Sequence, residues 1–423
     1  MEFHSALAES SDLEEACDAI ASEIRRALGT QPLDLLCVFA SASYGSALDR
    51  LPVMLHERIA VRTLVGSTAL EHGTAEQQQG QGEPQSCPAL SVLAGRLDDG
   101  AEVAATVVSN GDLPHPDAPP SAWRALLPES SARLGSPLPR DESTDASRDV
   151  RGVLVWTEPF HTDIAGLLTG LDYALPVAPK VGGLASGSNH PHGNALFCGR
   201  RRTNQGAVLL TFRGAVDVQP VVSQGCRPIG RVGRITEANN NRLVGVDNKP
   251  IKSFLTEQLQ ELGSADLEIA QGSPLFLGIA SDPFAVAAPD AGEFLVRNVL
   301  GIDQQDHLVV GERLAVGRSV QLHLRDATSG VEDLDQRLRH ERAADACAAL
   351  MFRCIGRNSE DHGRFASLAP DVPLLGGTCN GEIGPVGAVT HLHGYTASCV
   401  LLRPASVADG STPVDTDTSS PNA

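Results

Sequence analysis

Apolar residues along the chain alternate between two spacings. Leu13, Cys17, Ile20, Ile24 and Leu28 lie three or four residues apart, which places them on one face of a helix. Ser11 with Glu14 three residues on has the form of a capping box, and Gly29 closes the run. Residues 35–40 are a continuous apolar run, the pattern of a buried strand. Leu48, Leu51, Leu55 and Ile59 form a second helical stripe, followed by a strand at 62–65 that enters Gly66. After a Gln/Gly-rich loop, 89–94 reads as another strand.

The same order returns twice. Residues 152–156 form a strand, Ile164, Leu167, Leu168 and Leu171 a helical stripe, 180–186 a strand entering a Gly turn, and 206–212 the next strand. In the last copy a helix is predicted over 331–348 and strands over 349–354, 372–375 and 395–402, with a short helix around Phe365 and Leu368. A strand, a helix and a strand at this spacing favour a parallel pair with a right-handed crossover, and a short Gly loop then returns a neighbouring strand. The predicted fold class is therefore α/β (mixed α+β): two domains of mixed sheets covered by helices, built from repeated strand-helix-strand-strand units. The domains are expected at 1–215 and 216–404, with a disordered tail at 405–423 rich in Ser, Thr, Asp and Pro. Residues 216–330 fit the repeat less well, although 250–262 reads as a helix and 275–279, 294–299 and 320–324 as strands. Residues 136–149 read as a loop.

A length of 423 residues exceeds one average core. The net charge of −19 repels phosphate backbones, so nucleic acid is not an expected partner. Nine cysteines with no C-x-x-C pair read as reduced, mostly buried thiols. The first residues carry neither a basic region nor an apolar run, and no stretch is long enough to span a bilayer. A cytoplasmic protein with no membrane association is expected.

Polar chemistry concentrates near the C-terminus. The turn from Gly376 to Gly387 contains five glycines and holds Cys379, Asn380 and Glu382; His393 and Tyr395 follow on the next strand. Arg325 and Asp326 end one predicted strand, and Arg297 sits in another. An amino-acid pocket needs a guanidinium for the carboxylate and an acid for the amine, which Arg325 or Arg297 with Glu382 or Asp326 would supply. The alternative is that Arg325 and Asp326 form a structural ion pair. Cys354 and Cys379 both stand where strands run into turns, and either would be a nucleophile with His393 as base if the geometry allowed, although small buried thiols are the simpler reading. His391 and His393 face one side of a strand, and His190 and His192 flank a proline, yet no metal-binding spacing accompanies them. No cofactor and no stoichiometric metal or haem is expected. The elbow, P-loop and dinucleotide signatures of common enzymes are absent, so the chain is not expected to be an enzyme.

Several runs resemble the FIST (F-box and intracellular signal transduction) domains. They are Val181-Gly-Gly-Leu-Ala-Ser186, Val222-Ser-Gln-Gly-Cys-Arg-Pro-Ile-Gly230, Phe294-Leu-Val-Arg-Asn-Val-Leu-Gly-Ile-Asp303, Gln321-Leu-His-Leu-Arg-Asp326, Gly377-Thr-Cys-Asn-Gly-Glu-Ile-Gly-Pro-Val-Gly387 and Leu392-His-Gly-Tyr-Thr-Ala-Ser398. The resemblance spans about residues 30–402. It implies linked N-terminal and C-terminal FIST domains that sense small ligands, with amino acids proposed, and act in signal transduction. Members are often fused to signalling modules, eukaryotic relatives carry an F-box, and some members are haem-based gas sensors. Only a short tail follows the resemblance here, so output is expected through a separate, unidentified signalling partner. In Cys354-Ile-Gly-Arg357 the family's usual polar second residue is replaced by Ile355, so no contact of that side chain carries over. The residues expected to bind ligand are Arg325, Asp326, Cys354, Cys379, Asn380, Glu382, His393 and Tyr395, converging on one cavity. An adaptor role like that of the F-box relatives, a cysteine-dependent enzyme and a gas sensor are the alternatives.

Overall fold

The computed structural model describes residues 1–74, 87–128, 149–281, 294–325, 327–357 and 360–405. The expected loop at 136–149 and tail from 406 fall almost wholly outside them. Among the described residues the fold is mixed α+β, and three sheets share one strand order. The first contains β1 (Glu2–Glu9), β5 (Ala89–Arg96), β2 (Leu33–Ser41) and β3 (Val61–Ala69) side by side. In the second, β6 (Ala101–Val108), β11 (Ala207–Gly214), β7 (Val150–Thr157) and β8 (Lys180–Leu184) take those places. In the third, β12 (Val216–Ser223), β24 (Ala397–Pro404), β20 (Ala348–Cys354) and β21 (Leu374–Cys379) do so. The last two strands named in each sheet are parallel, and the other neighbours antiparallel. A parallel pair needs a crossover. Here α2 (Leu51–Arg58), α4 (Ile164–Ala174) and α8 (Glu360–Leu368) lie on those connections.

The three sheets exchange strands in a ring. The chain leaving β3 forms β4 (His72–Thr74) on the edge of β21. The chain leaving β21 forms β22 (Glu382–Val386) on the edge of β8 and returns as β23 (Val389–His393). The chain leaving β8 forms β9 (Leu196–Cys198) on β3 and returns as β10 (Arg201–Thr203). Each sheet thus lends a strand to the next. The inner faces meet in one core where Phe352 makes edge contacts with Phe39 (6.0 Å) and Trp156 (5.5 Å). The outer faces are covered by helices: α1 (Leu13–Leu28) with α2, α3 (Pro120–Arg124) with α4, and α7 (Ala327–His340) with α8.

Residues 226–325, which the repeat did not accommodate, form a separate antiparallel barrel. β13 (Cys226–Asn239), β19 (Ser319–Arg325), β16 (Leu275–Ala280), β17 (Phe294–Ile302), β18 (Leu308–Val310) and β14 (Arg242–Val246) pair in that order, and β14 closes on β13. β15 (Lys249–Pro250) lies outside on β14. α5 (Ile251–Gln260) sends Phe254 and Ile251 into the barrel core, and α6 (Ser264–Gly272) follows.

Two local expectations are corrected. Asp12, not Ser11, caps α1: its carboxylate accepts from the Glu14 amide at 2.8 Å. The helix predicted over 331–348 starts and stops earlier, ending at His340. Arg342 takes a left-handed conformation (φ 52°), a short 3-10 turn follows, and Ala348 already opens β20.

Candidate functional site

β20 and β21 end together, with Cys354 and Cys379 as register partners. The carboxyl ends of parallel strands are where open α/β sheets place ligands. Past Cys379 the chain is pinned to the second sheet: Leu184 donates to the Gly381 carbonyl (2.9 Å), and Asn380 donates from Nδ2 to the Ala185 carbonyl (3.2 Å). Asn380 is exposed and its side chain serves this junction. Close approach requires a glycine opposite, because a Cβ on Gly183 would lie 2.5 Å from the Cys379 sulfur.

Glu382, the first residue of β22, is fully buried. Its Oε2 accepts the Thr396 amide at 3.2 Å, while Oε1 has no hydrogen-bond partner among the described residues. Burial raises the Glu382 carboxyl well above its usual range, against the Thr396 hydrogen bond and the guanidinia of Arg357 and Arg353, which favour the anion. The desolvated carboxyl is therefore neutral, with the Cys354 thiol beside it. Burial also raises both thiols and so opposes thiolate chemistry at either. His393 is buried and its Nε2 donates to the Gly384 carbonyl (3.0 Å), not to a sulfur. Burial lowers His393 to about 3 and His391 to about 4, so both imidazoles are neutral.

Arg325 ends β19 on the barrel side of the strand ends. Its guanidinium stacks over the Tyr395 ring at 3.9 Å and donates to the Gly356 carbonyl. Tyr395 holds a left-handed backbone (φ 58°), and its ring edge meets Phe276 at 5.6 Å. The nearby arginines are already paired. Arg357 forks onto Asp361 (2.7 and 2.9 Å) and donates to the carbonyls of Ser223 and Gly330. Arg353 pairs with Glu71 at 3.0 Å. Arg325 has no carboxylate partner among the described residues. A guanidinium has five donors, so this stack leaves several free for an anion.

Arg325, Tyr395, Gly356, Cys354 and Glu382 thus form a connected series running from a half-exposed cation to a buried acid. Cys379 lies at its inner end, and His393 is the cross-strand partner of Glu382. Asp326 lies outside the described residues. Thr396 and Phe276 were not singled out in the sequence: one acts through its backbone amide, and the other reads as an ordinary strand residue. Among the described residues no three His, Cys, Asp or Glu side chains are grouped to hold a metal ion. A cavity of about 490 Å³ beside the start of α1, lined by residues including Asp12, Tyr44 and Arg50, involves none of this group.

A ring of three mixed sheets with an antiparallel barrel inserted before the last parallel pair defines an α+β protein whose polar site lies at strand ends. The chain belongs to the FIST family: the family model described as FIST N domain matches residues 34–249, and that described as FIST C domain matches residues 254–385. FIST domains are sensory domains of signal transduction. An uncharacterized protein of Mycobacterium tuberculosis (strain H37Rv) is 34% identical over 262 residues, which cover 59% of this chain and 67% of the relative. An uncharacterized protein of Mycobacterium bovis is 35% identical over 241 residues, covering 54% and 61%. A chorismatase crystal structure aligns over 95% of this chain and 98% of its own, with 9% identity and a TM-score of 0.30, too distant to argue from. No helix among the described residues is long and apolar enough to cross a membrane.

Proposed function

We propose that this chain is a small-ligand sensor that binds a carboxylate-bearing metabolite at Arg325 and passes the signal to a separate protein partner in the cytoplasm. One observation carries the reading: a half-buried guanidinium, stacked on Tyr395, has no carboxylate partner among the described residues. A ligand carboxylate would supply the missing partner in a bidentate pair. An amino acid fits this reading when its ammonium meets Oε1 of Glu382, the unpartnered oxygen at the inner end of the series. Glu382 must then release its proton for the pair to form, which makes binding of an amino acid release about one proton.

Native mass spectrometry of the purified full chain tests for a co-purifying metabolite. Calorimetric titration then compares wild type with Arg325→Met and Glu382→Gln. Each variant should weaken binding by about 1–3 kcal/mol, the usual loss when a charged hydrogen-bond partner is removed. Unchanged affinity in both would place the ligand elsewhere and end this assignment.

A further inference from the structure

The barrel is an insertion. Residues 226–325 leave the three-sheet body after β12 and return to it at α7, so two crossings join the two parts. The crossings lie side by side: Cys226 and Arg325, the first and last barrel residues, are register partners, and a Cβ on Gly330 of α7 would lie 3.1 Å from Gly225 Cα. Two adjacent strands that leave a domain together make a hinge, because rotation about their common line changes few dihedrals.

Arg357 holds the body's side of this hinge. Its side chain is 5% exposed and forks onto Asp361 of α8 at 2.7 and 2.9 Å. The same guanidinium donates to the Ser223 carbonyl (3.1 Å) on one crossing and to the Gly330 carbonyl (3.0 Å) beyond the other. The barrel's side is held by Gln224, which donates to the Phe294 carbonyl (2.6 Å) and accepts from the Val296 amide (3.0 Å). On the first crossing the chain therefore passes from body to barrel between Ser223 and Gln224. Gly225 follows with a left-handed backbone (φ 65°), and a Cβ there would lie 2.5 Å from the Tyr395 carbonyl oxygen. Only glycine fits that turn.

Arg325 stands on the hinge itself, and the groups around it are divided between the two parts. Arg325 and Phe276 belong to the barrel; Tyr395, Gly356 and Glu382 belong to the body. The stack of Arg325 on Tyr395 (3.9 Å), its bond to the Gly356 carbonyl and the edge contact of Phe276 with Tyr395 (5.6 Å) all run across the joint. We propose, resting on the Arg325 site assigned above, that the barrel is the moving part of the sensor, turning on this hinge and held docked by the Arg325–Tyr395 stack. A guest with its carboxylate on the barrel's Arg325 and its other end on the body bridges the two parts only when they are docked. Binding therefore shifts the barrel toward that arrangement. A partner that reads the barrel's position then receives the signal.

Spin labels carried on keto side chains, placed at Ile302 of the barrel (56% exposed) and Val177 of the body (93% exposed), test this in the full chain without a ligand and spare the cysteines. Pulsed dipolar electron resonance reads the distance between them. The wild-type protein should give one narrow distribution. Arg325→Met and Tyr395→Leu should each broaden it or shift its mean, and the double variant should go no further than the stronger single one, since both remove the same stack. If Tyr395→Leu melts early, Arg325→Lys, which keeps the charge and loses the planar stack, takes its place. Unchanged distributions in the folded variants would overturn the hinge, even where calorimetry finds a ligand at Arg325. Altered distributions with no carboxylate binding would uphold the hinge and remove the ligand reading.

Discussion

Replacing Glu382 with Gln separates a neutral buried acid from a buried ion pair. The amide keeps the shape of a protonated carboxyl, and its oxygen can still accept from Thr396, which now bonds Oε2 at 3.2 Å. The native carboxyl is raised well above 4.5, chiefly by burial. The folded protein therefore holds a proton that the unfolded chain gives up above about pH 4.5, and stability falls as pH rises through that window. The slope is about 1.4 kcal/mol per pH unit between the unfolded carboxyl's range and the raised folded one, so by pH 7 the wild type loses at most about 3 kcal/mol that the Gln variant keeps. Every other titrating group is common to both proteins and cancels in the difference. Urea unfolding of both at pH 4, 5, 6 and 7 measures it. The two should be close at pH 4, and the variant should gain steadily with pH. A difference that does not change with pH, or a wild type that gains on the variant as pH rises, would show that Arg357 and Arg353 hold Glu382 as an anion and that the neutral-acid argument is wrong.

Three further outcomes follow from the packing. Phe352→Ala empties the point where three sheets meet and should cost about 3–5 kcal/mol by chemical denaturation. Asp172→Ala leaves Lys180, 2% exposed, with only the Leu175 carbonyl and should cost about 3–5 kcal/mol, part of which Lys180→Met should restore in the double variant as read by melting. Alkylation of the native protein at pH 8 should leave Cys354 and Cys379 unmodified by peptide mass mapping while denatured chain is labelled at both, since burial keeps the thiols protonated and out of reach; rapid native labelling would restore them as nucleophile candidates.

Much of the fold was legible because its parallel strands are buried on both faces and read as unbroken apolar runs. β2, β7, β20 and the glycine turns after β8 and β21 all stand where the hydrophobic pattern puts them. Strands at the sheet edges were not. β1 carries its buried positions on Phe3, Ala6 and Ala8, two of them small residues that give little alternation, and β6 is mostly half-exposed. The barrel was seen as separate strands without their closure, because β13–β19 and β18–β14 pairing depends on partners distant in sequence. The site was legible in residue type and not in grouping. Arg325 and Tyr395 were both marked, but their stack depends on the barrel docking beside β24. Asn380 was marked as a ligand contact, whereas its amide holds two sheets together.

The ring of exchanged strands offers one reason why function should gather at a single junction. Three short strands cross from one sheet to the next, opening at His72, Leu196 and Glu382. His72 is buried with one ring nitrogen on Ser41 (3.3 Å) and the other on Ser91 (2.7 Å), so its hydrogen-bonding capacity is met by the sheet its strand leaves. Leu196 is apolar and asks for nothing. Glu382 differs: the end of its parallel pair offers thiols in place of hydroxyls, and one oxygen stays unpartnered. Leaving a buried polar group unmet costs about 1–3 kcal/mol. A hydroxyl at residue 354 would offer that oxygen a better donor than the thiol does. The prediction is that Cys354→Ser raises the melting temperature of the unliganded protein and weakens binding of the Arg325 ligand, because the new hydroxyl occupies the acceptor the guest would use. A variant with lowered stability and unchanged affinity would mean that Oε1 is a structural defect of this junction and plays no part in binding.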